Sequence, residues 1–353
     1  MRVVVIGEKR DMIGKFCTAL AGLLTLIAAP AAAQEAARIE WKTLHSPAME
    51  GNLEGNPAER GVYVVTPPGY DENAGKRYPV VYFLHGYWAT PQMYQEQMAF
   101  DEAVTGAARA GNEVIMVIPD GHSKLRGGFY SNSPTVGNYE AFVAEDVVGW
   151  VDANYRTIPE RGSRGLSGHS MGGYGTLRLG MKYPDVFSSL FAMSSCCLSP
   201  SFIDADNARR IEGMSADDIA NAQFGDLALL STLATWSPDP TRAPNYVDTG
   251  LGEDGTVNPL VNARMAANAI VAMIPQYLPA LNGMTAIGVE VGDKDFLLAD
   301  NELLHAELTR FGVEHDWALY DGDHGNRIPE RIRSELLPFF ARHLAGGTHH
   351  ESQ

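Results

Sequence analysis

Gly165-Leu166-Ser167-Gly168-His169-Ser170-Met171-Gly172-Gly173-Tyr174-Gly175 decides how this chain is read. It holds a G-x-S-x-G pattern centred on Ser170, where a short apolar run gives way to helical spacing. A serine at such a strand-to-helix turn has a strained backbone and a hydroxyl exposed above a sheet. Gly168 and Gly172 lie two positions to either side, where side chains would crowd the turn. The pattern alone also fits a glycine-rich turn with an incidental serine. The rest of the chain must therefore supply the chemistry.

A serine hydroxyl is a poor nucleophile at neutral pH. It needs a base within hydrogen-bond reach and a third group that orients the base. On a strand-turn-helix scaffold the chain order is serine, acid, histidine. His324 is the candidate base, in Tyr320-Asp321-Gly322-Asp323-His324-Gly325-Asn326, a turn-rich loop just past an expected last strand. His305 falls in an expected helix and His315 at a strand start, so both read as structural or surface residues. His169 occupies a variable position of the elbow and is expected to point away from the base. The acid is expected after the strand at 285–291, in Gly292-Asp293-Lys294-Asp295. Asp295 is preferred over Asp293 because the loop must travel before it reaches an imidazole. Asp321 and Asp323 read as turn formers. An oxyanion needs backbone donors: the N–H of Met171, directly after the serine, and that of Tyr87 in Leu84-His85-Gly86-Tyr87. His85 reads as a brace for that loop. Trp88, His122 and Tyr130 are candidate substrate-binding residues, with Tyr87 and Phe129 adding to the aromatic character.

Outward from the elbow, the chain alternates strands and helices from Ile39 onward, which implies a mainly parallel sheet covered on both faces. Strands are expected at 59–66, 78–84, 113–118, 165–168, 186–194, 285–291 and 315–320. Helices are expected at 139–155, 174–182, 301–311 and 329–344. The rhythm breaks between Leu198 and Met284, where two helical pieces (215–230 and 259–281) flank a Pro/Asp/Gly-rich stretch. Ligands of such sheets bind beyond the carboxyl ends of the strands, so an insertion at 198–284 is placed to act as a lid.

The 353 residues suffice for one large α/β domain, and 45% hydrophobic with 20% charged residues is ordinary for a globular protein. A net charge of −16 argues against nucleic acid and anionic membrane as partners. Residues 1–33 read as a signal peptide: Lys9, Arg10 and Lys15 precede an apolar run from Phe16 to Ala29 and an A-x-A site ending at Ala33. Met12 is an alternative start. Export is therefore expected, to the periplasm or beyond, with no stable membrane insertion after cleavage. The domain spans 34–345, and the tail 346–353 is expected to be disordered. Adjacent Cys196 and Cys197 read as free buried thiols, since a disulfide between neighbours is a strained ring. No histidine or cysteine spacing suggests a metal site, and no cofactor is implied.

Together these motifs resemble the esterase D superfamily of α/β hydrolases. The resemblance rests on Leu84-His85-Gly86-Tyr87, Gly168-His169-Ser170-Met171-Gly172-Gly173, Gly292-x-x-Asp295 and Gly322-x-His324. Gly128-Phe129-Tyr130-Ser131 and Gly137-Asn138-Tyr139-Glu140 add to it. That group includes feruloyl and acetylxylan esterases, S-formylglutathione hydrolases, enterochelin esterases and mycolyltransferases. The resemblance implies an α/β-hydrolase fold and a Ser170–His324–Asp295 triad, with Tyr87 and Met171 as amide donors. It also implies an ester of a small molecule or carbohydrate as substrate. Residues 198–284 align with no member, which leaves the substrate open; the expected activity is that of an exported serine carboxylesterase, with an acyltransferase on the same triad or a non-catalytic binding protein on this scaffold as alternatives.

Overall fold

The computed structural model describes residues 36–346. The leader expected within 1–33 and the tail beyond 346 lie outside the described residues.

The strands are β1 (Arg38–His45), β2 (Glu59–Thr66), β3 (Val80–Leu84), β4 (Ile115–Pro119), β5 (Asn132–Ser133), β6 (Gly137–Asn138), β7 (Arg164–His169), β8 (Ser189–Met193), β9 (Ala286–Gly292) and β10 (Asp316–Tyr320). Eight form one sheet in the order β1-β2-β4-β3-β7-β8-β9-β10, while β5 and β6 make a separate small hairpin. Only β2 runs against its neighbours in the large sheet; β4, β3, β7, β8, β9 and β10 are parallel. A parallel sheet needs cover on both faces, so its central strands are apolar throughout. Period-2 alternation then divides each strand between two cores. Val80, Tyr82 and Leu84 of β3 face one, with Ile115, Val117 and helix residues Phe142, Tyr174 and Leu177. Val81 and Phe83 face the other, with Met116, Phe100, Val104, Ile332 and Phe340.

Most expected elements appear, with ends displaced by a few residues. The 139–155 helix forms as Tyr139–Ala141 and Val148–Asn154 joined by a wider π-type turn over Phe142–Val147. Two helices between β3 and β4 were not expected. Pro91–Met98 starts on Thr90, whose hydroxyl accepts the Met93 N–H at 3.3 Å, with Pro91 in the first turn. Phe100–Arg109 follows at once and buries Phe100, Ala103 and Val104. Edge strand β1 has no clear sequence signal, because it buries only Leu44 fully and so carries little apolar alternation.

The 198–284 region holds no named strand, as expected, but its two expected helices are broken. The first yields Ala216–Ala220 and Phe224–Trp236, preceded by an unexpected Ala205–Glu212. The second ends at Asn268 and resumes as short pieces around Pro275 and Pro279. Proline lacks the N–H that an interior helical position must donate, so each one restarts the helix instead of extending it. Among the described residues, no helix is long and apolar enough to cross a membrane.

Candidate active site

The elbow is built by close approach. Strand β7 ends at His169, Ser170 takes φ +60° and ψ −116°, and helix Met171–Lys182 begins at the next residue. A Cβ at Gly172 would collide with the Leu84 carbonyl on β3, and one at Gly168 with the Gly172 backbone. The strained conformation is held from both sides. The Ser170 N–H donates to the Met193 carbonyl at 3.0 Å, and the Ser170 carbonyl accepts from Tyr174 and Cys196, each at 3.1 Å.

The loops after β9 and β10 bring the other two residues to this point. Ser170 Oγ lies 3.0 Å from Nε2 of His324. Nδ1 of His324 lies 2.9 and 3.1 Å from the two carboxylate oxygens of Asp295. The Asp295 side chain is fully buried. Burial would raise its pKa, but hydrogen bonds from His324 and from the Leu297 N–H outweigh that and hold it below the ordinary carboxylate value. Asp293 does a different job: its Oδ1 accepts the Gly322 N–H at 3.0 Å and ties the two loops together. Asp323 accepts the N–H groups of Gly325 and Asn326, as a turn former does. Asp321 pairs with Lys294.

Met171 is the first residue of its helix, so its N–H has no intrahelical acceptor and lies at the positive end of the helix dipole. Tyr87 follows Gly86, where a Cβ would collide with the Tyr94 hydroxyl and lie 3.4 Å from the Ser170 Cβ. His85 braces this loop: its Nε2 accepts the Gly121 N–H at 2.9 Å, and burial lowers its pKa to about 4, so the ring stays neutral.

His169 is placed differently from the sequence expectation. Its ring centroid lies 4.6 Å from that of His324, and its Nε2–H donates to the His324 carbonyl at 2.6 Å. Its Nδ1 accepts the Tyr94 hydroxyl at 2.7 Å. Burial, with the nearby His324, lowers its pKa to about 3, so it acts as a neutral donor–acceptor bridge. Its position beside Ser170 is the only sequence signal for this.

Ser170 opens into an apolar cavity of about 300 Å³. Tyr87, Phe129 and Cys196 form part of the wall, and more than half of the lining residues come from 198–284, including Phe224, Trp236 and Met265. The insertion is bolted to the 127–133 loop: Ser231 Oγ donates to the Gly127 carbonyl at 2.7 Å and Trp236 Nε1 to Ser131 Oγ at 3.2 Å. Trp88 is not on the wall but packs behind Phe224, with ring centroids 5.8 Å apart. Tyr130 and His122 are also outside the wall. Tyr130 is fully buried, with its hydroxyl donating to the His85 carbonyl at 3.0 Å. The His122 ring turns its Nδ1 to the Ala89 carbonyl at 3.2 Å. His305 and His315 bond each other at 2.8 Å, and the His305 ring stacks on Trp317.

A mostly parallel sheet with a serine on a strained strand-to-helix turn, and an acid and a histidine delivered by the last two strands, defines an α/β-hydrolase fold. The chain belongs to the Esterase family, described as "Putative esterase", whose model matches residues 55–257. Within the α/β hydrolases it falls in the esterase D superfamily. A ferulic acid esterase of known structure is 22% identical and superposes with a TM-score of 0.62, over 87% of this chain and 99% of that one. An S-formylglutathione hydrolase from Agrobacterium tumefaciens is 18% identical with a TM-score of 0.58, over 88% of this chain and 97% of that one. At these identities the likeness concerns the fold. An esterase of Mycobacterium tuberculosis is 38% identical over 133 residues, which are 36% of this chain but only 27% of that protein.

Proposed function

We propose that this chain is an exported serine carboxylesterase acting on aryl (feruloyl-type) or acetylated-sugar esters. The observation that carries the reading is the chain of contacts Ser170 Oγ–His324–Asp295, at 3.0 and 2.9 Å, with Ser170 on the wall of an apolar cavity. Ser170 attacks the ester carbonyl as His324 Nε2 takes its proton. Asp295 accepts the Nδ1–H, which fixes the tautomer and stabilises the imidazolium that forms. The N–H groups of Tyr87 and Met171 receive the oxyanion. His324 then protonates the leaving alcohol, and an acyl-Ser170 ester remains. Water, deprotonated by His324, attacks that ester and frees the acid and Ser170.

The aromatic wall of the cavity supports an acyl group with a flat ring, and the ferulic acid esterase fold likeness points the same way. The leader-like sequence within residues 1–33 supports export. Ser170→Ala is expected to lower turnover of a feruloyl or acetyl-sugar ester by about 10⁴-fold or more and to abolish fluorophosphonate labelling. Near-normal turnover in that variant would sink the assignment.

A further inference from the structure

Cys196 and Cys197 are free thiols, and both line the cavity that holds Ser170. Consecutive side chains of an extended segment point to opposite sides, so neighbouring cysteines do not normally meet. Here the chain leaves β8 through a sharp turn. Ser194 has φ +45° and Cys197 φ +57°, both in the left-handed region that residues with a Cβ seldom occupy. The turn brings the sulfurs to 2.8 Å. The Cys196 N–H donates to the Ser170 carbonyl at 3.1 Å, so the pair is one hydrogen bond from the nucleophile's backbone.

We propose that Cys196 and Cys197 form a reversible oxidation site, closing to a vicinal disulfide that slows chemistry at Ser170. The oxidant is a small-molecule disulfide. One cysteine thiolate attacks a reagent sulfur and breaks its S–S bond; a thiol leaves with one proton. The second cysteine attacks the mixed disulfide at the protein sulfur and expels the reagent's other half as a second thiol. The pair loses two electrons and two protons, and the reagent gains both. Closing the bond moves the sulfurs about 0.8 Å nearer, to a normal S–S length. Consecutive Cα atoms are about 3.8 Å apart, below the usual span of a disulfide, so the ring is strained and easily reduced. That strain makes it a switch and not a staple. Ring closure twists the peptide between the two cysteines and turns the Cys196 backbone about its Cα, which shifts the preceding peptide, whose Cys196 N–H supports the Ser170 turn. Burial, together with Cys197, pushes the Cys196 thiol well up, so closure quickens as the solution becomes alkaline.

The slowing of turnover rests on the proposed esterase reading; ring formation does not. The full chain is treated with 2,2′-dithiodipyridine, and the peptide carrying both cysteines is weighed. Expected are the loss of two hydrogens, a fall of about fivefold in fluorophosphonate labelling of Ser170 and in ester turnover, and recovery with a phosphine reductant. Cys197→Ser should carry a stable pyridyl adduct and show no such reversible ring closure. A stable adduct on the unsubstituted chain, or ring closure that leaves labelling unchanged, overturns the proposal. If Ser170 is never labelled, even reduced, the esterase reading fails while the mass change still tests the ring.

Discussion

The imidazole of His169 donates its Nε2–H to the backbone carbonyl of His324 at 2.6 Å, so the residue before Ser170 anchors the loop that carries His324. The same ring is anchored by the Tyr94 hydroxyl on its other nitrogen. His169 thus meets His324 through its backbone carbonyl, and on the proposed triad it would position that residue. Removing a buried hydrogen-bond partner costs about 1–3 kcal/mol. His169→Ala should lower kcat by about tenfold or more with little change in KM, because His324 loses its setting, not the substrate its pocket. His169→Gln, which can still donate and accept, should recover part of the loss. Equal losses in the two variants would show that only packing matters here.

Asp295 and Asp293 are two residues apart but do different work. Asp295 faces His324, and Asp293 holds the Gly322 N–H. Asp295→Asn should lower kcat by about 10⁴-fold, since an amide cannot fix the tautomer as a carboxylate does. Asp293→Asn keeps an acceptor for Gly322, and its activity should stay within about threefold. Steady-state kinetics on one chromogenic ester decides between them, and a reversed order would transfer the acid role to Asp293.

Phe224 reaches the cavity from the insertion while remaining 57% exposed. Its ring meets Tyr87 edge-on at 5.5 Å. Stability should therefore change little in Phe224→Ala. Loss of an aromatic contact is worth about 0.5–1.5 kcal/mol, so kcat/KM for a feruloyl ester should fall by up to about tenfold. An acetyl ester of the same alcohol should be nearly unaffected. Parallel falls for both esters would place the acyl group elsewhere.

Glu54 carries a pH signature. Its burial raises the pKa from 4.5 to about 7, against the pull of hydrogen bonds from Asn56 and the Leu125 N–H. The folded state then binds more protons than the unfolded state between these values. Stability attributable to this group is full below pH 4.5, falls as pH rises to about 7, and is level above that. Asp295 has the opposite sign. Its lowered pKa adds stability above the ordinary value of 3.8, which is lost as pH falls through the folded value. Urea midpoints between pH 5 and 8 should decline on this account, and Glu54→Gln should flatten the decline. An unchanged slope in that variant would assign the decline to other groups.

The sequence determined the scaffold and the chain order of the candidate site residues. Continuous apolar runs mark the buried strands of a parallel sheet. Gly168 and Gly172 mark the elbow, and turn-rich loops after 285–291 and 315–320 mark the ends that deliver Asp295 and His324. These features are local, and each is written in a few consecutive residues. Tertiary structure decided what depends on meetings between distant segments. It set His169 beneath His324, 155 residues away. It packed Tyr130 and His122 into the loop framework and left Phe224, Trp236 and Met265 to shape the cavity. It also brought the sulfurs of Cys196 and Cys197 together through a left-handed turn. No periodicity announces such contacts, because a side chain's direction at a turn follows from backbone angles that the surrounding fold imposes.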